Sequence, residues 1–125
     1  MGENIIRTKS YDFALRIINL YKYLKDTKKE FILSKQLLRS GTGIGALIRE
    51  ADNAESKLDF IHKMSIGQKE CDETLYWIDL LYDAEFLTHE EYSSIKDDGE
   101  QLLKIIKSII IKTKQNLRNE KMMGS

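Results

Sequence analysis

No proline occurs anywhere in the 125 residues. Proline collects in loops and at strand edges, so its absence favours long helices that nothing interrupts. A single cysteine, Cys71, excludes a disulfide within the chain and makes a reducing cytoplasm the expected home. Charge of one sign is missing as well, because 20 basic residues balance 20 acidic ones. A dedicated nucleic-acid binder carries a clear basic excess, although a neutral total still allows a local basic face. Long apolar runs are lacking too. The richest, LLKIIKSIII from Leu102 to Ile111, is about ten residues broken by lysines, too short to span a bilayer. The opening MGENIIRTKS has no apolar centre of the kind a signal peptide needs. Strand alternation, internal repeats and low-complexity segments are absent. What remains is 42% hydrophobic and 32% charged, the balance of a highly charged helical protein of one domain.

Hydroxyl–carboxylate pairs three residues apart punctuate the chain. Thr27 with Glu30, Ser56 with Asp59 and Thr88 with Glu91 each read as a capping box, in which the hydroxyl accepts from a first-turn N–H and the carboxylate bonds back. Ser10, followed by Asp12, reads as a plainer helix start. Helices are therefore expected at roughly residues 10–25, 28–54, 57–85 and 89–118, with residues 1–8 and 119–125 frayed. Short connections make neighbours antiparallel, so the predicted fold is all-α, an up-down-up-down four-helix bundle.

The last helix shows the period best. Tyr92, Ile95, Gly99, Leu102, Ile106, Ile109 and Thr113 follow alternating steps of three and four, the seam of a left-handed bundle. Leu103, Ile105, Ile110 and Leu117 widen that stripe to about 160°, and Ile111 lies on the opposite side. The first helix is similarly broad, through Tyr11, Phe13, Ala14, Ile17, Ile18, Leu20, Tyr21 and Leu24. A bundle interior needs a narrower arc, so the surplus predicts a second burial, against another subunit.

The stretch LLRSGTGIGALIREA, Leu37 to Ala51, alternates glycine at 41, 43 and 45. A dinucleotide fingerprint needs a strand before its glycines, and a phosphate-binding loop needs Lys-Ser or Lys-Thr after them; neither flank is present. On a helix, Gly41, Ile44, Gly45 and Ile48 share one face and Gly43 points away from it. The spacing of Gly41 and Gly45 suits a closely approaching neighbour, whose packing must return the roughly 3 kcal/mol that three helical glycines cost.

Few residues suggest chemistry. Glu50, Glu70 and Glu73 could gather inside a bundle, but a ferritin-like dimetal centre needs Glu-x-x-His on two helices, and His62 and His89 do not supply it. Arg39 is instead expected to form a buried ion pair with Glu70 or Glu73 that sets helix register. Cys71, between Glu70 and Asp72, reads as a small apolar residue with a weakened thiolate. Trp77, with Tyr76, Leu80 and Leu81, reads as core or interface rather than a base-stacking platform. Lys104, Lys107, Lys112, Lys114, Arg118 and Lys121 give the last helix a basic end, which suits its C-terminal dipole and, repeated by several copies, offers a contact surface for RNA or DNA.

QLLRSGTGIGALIREA and DFIHKMSIGQKECDETLYWIDLL together resemble the bacterial four-helix-bundle family encoded in intervening sequences of large-subunit ribosomal RNA genes. Its related branch comprises the accessory variability proteins of diversity-generating retroelements. The resemblance covers roughly residues 10–115. Arg39, Ser40, Ile44, Ile48, Glu50, Asp59, Phe60, Ile66, Glu70, Glu73 and Trp77 match its pattern. Gly43 replaces a usual serine, Leu47 an asparagine, Arg49 an alanine and Gly67 an alanine. The resemblance implies a bundle that assembles into a ring, commonly a homopentamer, with no enzymatic activity. Its retroelement branch implies binding to nucleic acid and a reverse transcriptase through a strongly basic surface, which a neutral chain does not match. The expected function is a non-enzymatic, homo-oligomeric scaffold or adaptor without cofactor, metal, membrane or small-molecule substrate. The alternative is a nucleic-acid-binding accessory protein.

Overall fold

The computed structural model describes residues 2–124, with side chains from Ile5 onward. It contains four helices, α1 (Gly2–Asp26), α2 (Leu33–Asp52), α3 (Lys57–Asp83) and α4 (His89–Gly124), and no strand among the described residues. Helix α1 begins well before residue 10, because Ile6 and Ser10 are buried and extend its inward stripe toward the N-terminus. Ser10 consequently lies inside the helix, its hydroxyl donating to the Arg7 carbonyl at 3.1 Å. Helix α4 likewise continues past residue 118 to Gly124. The expected fraying thus fails over residues 2–8 and 119–124, while Met1 and Ser125 fall outside the described residues.

One of the three capping boxes, Thr88–Glu91, forms in full, and Ser56–Asp59 forms its hydroxyl half, the Asp59 carboxylate accepting instead from the Glu55 N–H at 3.3 Å. The Ser56 hydroxyl accepts from the Asp59 N–H at 3.0 Å. Thr88 and Glu91 bond reciprocally, the Thr88 N–H to the Glu91 carboxylate at 2.8 Å and the Glu91 N–H to the Thr88 hydroxyl at 3.1 Å. The Thr27–Glu30 box does not form, and α2 starts at Leu33 rather than 28. Lys29 turns the chain with a left-handed φ of 58°. Glu30 is then buried and accepts the N–H groups of Ile32, Leu33 and Ser34 at 3.1, 3.0 and 2.6 Å. These are donors that a helix N-terminus otherwise leaves unsatisfied. Burial pushes the Glu30 carboxyl up, but these bonds together outweigh it and hold its pKa below the ordinary 4.5.

Each helix touches two others, in the closed cycle α1–α2–α3–α4–α1, and the two diagonal pairs do not meet. Ile17, Leu24, Leu37, Ile44, Ile78, Leu81 and Ile106 are shut off from solvent along the central axis. On α4 the buried positions are Ile95, Gly99, Leu102, Ile106 and Ile110, with Ile109 and Thr113 half-buried. The strict three–four alternation therefore gives way after Ile106 to a second step of four, as expected when a 3.6-residue helix drifts from a 3.5-residue repeat.

Candidate interaction surfaces

The glycine-rich stretch lies wholly within α2, and its three glycines serve different neighbours. A β-carbon on Gly41 would stand 2.8 Å from both γ-carbons of the fully buried Ile17 on α1. Only glycine permits that approach. At Gly45 a β-carbon would lie 3.5 Å from the Ser10 carbonyl oxygen, an ordinary contact, so this position does not demand glycine. Gly43 faces α3, where a β-carbon would come within 3.3 Å of a Glu70 carboxylate oxygen. Ile44 and Ile48 fill the core between them.

Arg39 does meet Glu70 and Glu73, but not in the interior. Its side chain is 53% exposed, and those of Glu70 and Glu73 are 22% and 33% exposed. One guanidinium nitrogen lies 3.3 Å from Glu70 and another bonds Glu73, while Gln36 accepts two further bonds at 3.3 Å. Glu73 also accepts from the Trp77 indole N–H at 3.0 Å. The expected buried pair is thus a surface cluster, because Arg39 stands on the flank of α2 rather than on its inward stripe. A solvated cluster of this kind contributes little stability and chiefly fixes how α2 and α3 sit side by side. The buried polar link between these helices is different: Thr74 Oγ1 lies 2.9 Å from Ser40 Oγ and 2.7 Å from the Glu70 carbonyl oxygen.

Glu50 pairs with Lys63 at 3.6 Å, away from Glu70 and Glu73. Among the described residues no three His, Cys, Asp or Glu side chains come together in a way that could hold a metal ion. Burial, reinforced by the charge of Asp72, pushes the Cys71 thiol up to about 12. His89 contacts Tyr82 Oη at 3.2 Å, and His62 is exposed. A network that sequence patterns did not reveal joins α3 to α4. Tyr82 stacks on Tyr92 with centroids 4.1 Å apart, and Asp79 accepts from Tyr92 Oη at 2.9 Å and Lys96 Nζ at 2.5 Å. The Asp79 hydrogen bond leads the causes that raise the Lys96 pKa. Its only sequence trace is an aspartate beside an otherwise apolar WIDLLY segment.

The basic residues of α4 separate into two groups. Lys104, Lys107, Lys114 and Arg118 are exposed and fall on one side of the helix, with Ile111 between them, at steps of three and four residues. Lys121 is exposed and continues this line. Lys112 stands about 100° away around the axis and does not join the stripe. Ile111, as expected, is 58% exposed.

Large apolar side chains on the outside lie on α1 and α3, at Phe31 and Ile32 in the connection before α2, and at Ile111, Met122 and Met123 on α4. Tyr11 and Leu15 on α1 are 54% and 46% exposed, and Tyr76 on α3 is 55% exposed, with Leu58 still more open near its start. Tyr76 meets Trp77 edge-to-face at 5.1 Å. Between α1 and α2 a shallow groove of about 230 Å³ runs beside Tyr11, over Ala14, Thr42, Gly45 and Ala46. A larger open groove of about 490 Å³ between α1 and α4 is lined by Arg16, Asn19, Tyr23 and Ser94, but Arg16 is already tied to Asp98 at 2.5 Å and Ser94 Oγ at 3.0 Å. No helix among the described residues is long and apolar enough to cross a membrane.

A family model described as 23S rRNA-intervening sequence protein matches residues 2–108. The chain is also similar to a crystal structure, at 1.70 Å resolution, of a protein of unknown function from the S23 ribosomal protein family of Bacteroides thetaiotaomicron VPI-5482. The two share 52% identity with a TM-score of 0.87, over 88% of this chain and 98% of the other. No curated protein matches the chain.

Proposed function

The chain belongs to the 23S rRNA-intervening sequence protein family, and we propose that it acts as a non-enzymatic scaffold or adaptor that self-assembles in the cytoplasm. The protomer of this reading is an antiparallel, up-down-up-down bundle, and the assembly is a ring, a pentamer in the form the resemblance implies. Contact order along the helices supports the antiparallel arrangement. Arg39, Gly43, Leu47 and Glu50 on α2 meet Glu73, Glu70, Gly67 and Lys63 on α3, one series rising as the other falls. The observation that carries the assembly is the outward apolar set. Tyr11, Leu15 and Tyr76 sit on rigid helices, opposite the stripes already used for the core, where a lone molecule leaves them in water. Arg39, Glu50, Glu70 and Glu73 are engaged in contacts between α2 and α3, and the one thiol has its pKa raised far above neutrality. Light scattering during gel filtration tests the proposal. A multiple of the 14.6 kDa chain mass is expected at micromolar concentration, and a monomer would remove the assembly.

The exposed stripe of Lys104, Lys107, Lys114 and Arg118 favours a second reading, an accessory protein that binds RNA or DNA. Copies brought together would repeat this stripe, concentrating positive charge that the neutral chain total conceals. Binding to structured RNA and duplex DNA measured across salt tests it: affinity should fall steeply with ionic strength. Absence of binding even at low salt dismisses this reading and leaves the scaffold standing.

A further inference from the structure

We propose that copies join side by side, the outward face of α1 on one copy against the outward face of α3 on the next. This names the interface of the assembly proposed above and rests on that reading. Helices α1 and α3 do not touch each other and occupy opposite corners of the four-helix cycle, so their outer faces look in opposite directions. Two different faces on one molecule make a head-to-tail contact that each added copy can repeat, and such a contact closes into a ring when the rotation from copy to copy completes a circle. These are also the faces that carry exposed rings and aliphatics along their length: Tyr11 and Leu15 on α1, Leu58 and Tyr76 on α3. Within α2 no large apolar side chain is exposed, and on α4 the lone Ile111 sits among lysines until the helix reaches Met122.

Charge decides which face meets which. Ile17 lies against Gly41, and the adjacent Ser40 bonds Thr74, so Ile17 and Thr74 mark one level across the bundle. Eight residues beyond Ile17 stands Lys25, and nine beyond Thr74 stands Asp83, both roughly 12–14 Å from that level in the same direction. Lys22 precedes Lys25 on the outer face of α1, while Asp72 and Asp83 flank Tyr76 on the outer face of α3. Cyclic symmetry turns a copy without lifting it when the bundles stand along the ring axis. Lys25 and Asp83, at nearly equal height, then meet as a cation of α1 against a carboxylate of α3, while Lys22 stands about 8 Å above the common level and Asp72 about 3 Å below it.

Charge reversal on the full chain tests the pairing, with mass read by light scattering and helix content by circular dichroism. Lys22→Glu with Lys25→Glu, and separately Asp72→Lys with Asp83→Lys, should each raise the dissociation constant about tenfold or more at unchanged helix content. The chain carrying all four changes should regain the parental mass, because the reversed faces again complement each other. Should a reversed chain lose helix content, Tyr11→Ala and Tyr76→Ala, which add no charge, take its place and should each weaken assembly. An assembled parent whose mass ignores these changes, or a fourfold variant that stays dissociated, would overturn the α1–α3 interface while leaving assembly intact. A monomeric parent would overturn assembly itself.

Discussion

On α1, Ile6, Phe13 and Ile17 face inward and are closed to solvent, while Tyr11 and Leu15 on the far side stand about half exposed. Both sets are apolar and both recur at helical spacing, yet they obey different constraints. The inner set is fixed by shape: Ile17 fits because Gly41 carries no side chain. Every buried side-chain nitrogen or oxygen among the described residues has a partner. The outer set meets no such fit within the protomer, and only the sign and height of nearby charges distinguish one outer face from another. Inner substitutions should therefore cost stability, and outer ones should cost assembly.

The contrast breaks most sharply on α4. Ile106→Lys places an unpaired charge on the bundle axis and should destabilise by about 3–5 kcal/mol, read as loss of the helical signal and of cooperative melting. Gly41→Ala comes next, at about 1–3 kcal/mol in denaturant titrations, since Ile17 is buried and branched and has little room to yield. Glu30→Gln should cost about 1–2 kcal/mol by weakening the cap of α2. Because folding lowers the Glu30 pKa, its contribution is complete above the ordinary 4.5 and fades as pH falls through the lower folded value. The parent should therefore lose stability on acidification over that window, and Glu30→Gln should lose less. Gly67→Ala has the opposite sign. The added carbon meets only Leu47 at 3.7 Å, so better helix propensity should raise stability by about 0.5–1 kcal/mol. Ile111→Lys should leave protomer stability within about 0.5 kcal/mol of the parent. Destabilisation by Ile111→Lys as large as that of Ile106→Lys would erase the distinction between the two sides.

The fold was legible wherever a pattern repeats. Four apolar-periodic segments and two working hydroxyl caps place α3 and α4 within a few residues, apart from the C-terminal end of α4. Thr27–Glu30 has the same spelling as Thr88–Glu91, but burial of Glu30 redirects its carboxylate forward to α2, and burial is a tertiary outcome that no four-residue motif encodes. The first two turns of α1 carry no legible signal, because a single isoleucine pair in a charged terminus shows no period. The Arg39 cluster was legible in its partners but not in its exposure, since placement on a flank or on the seam differs by one step around the helix. Stacking of Tyr82 on Tyr92 joins residues of separate helices across a turn, and one-dimensional spacing carries no trace of it.

Sedimentation of the full chain at low micromolar concentration tests most directly whether the outer faces are covered by other copies. One species at a whole-number multiple of 14.6 kDa is the expected result. A single boundary at 14.6 kDa, with Tyr11, Leu15 and Tyr76 facing water, would contradict it.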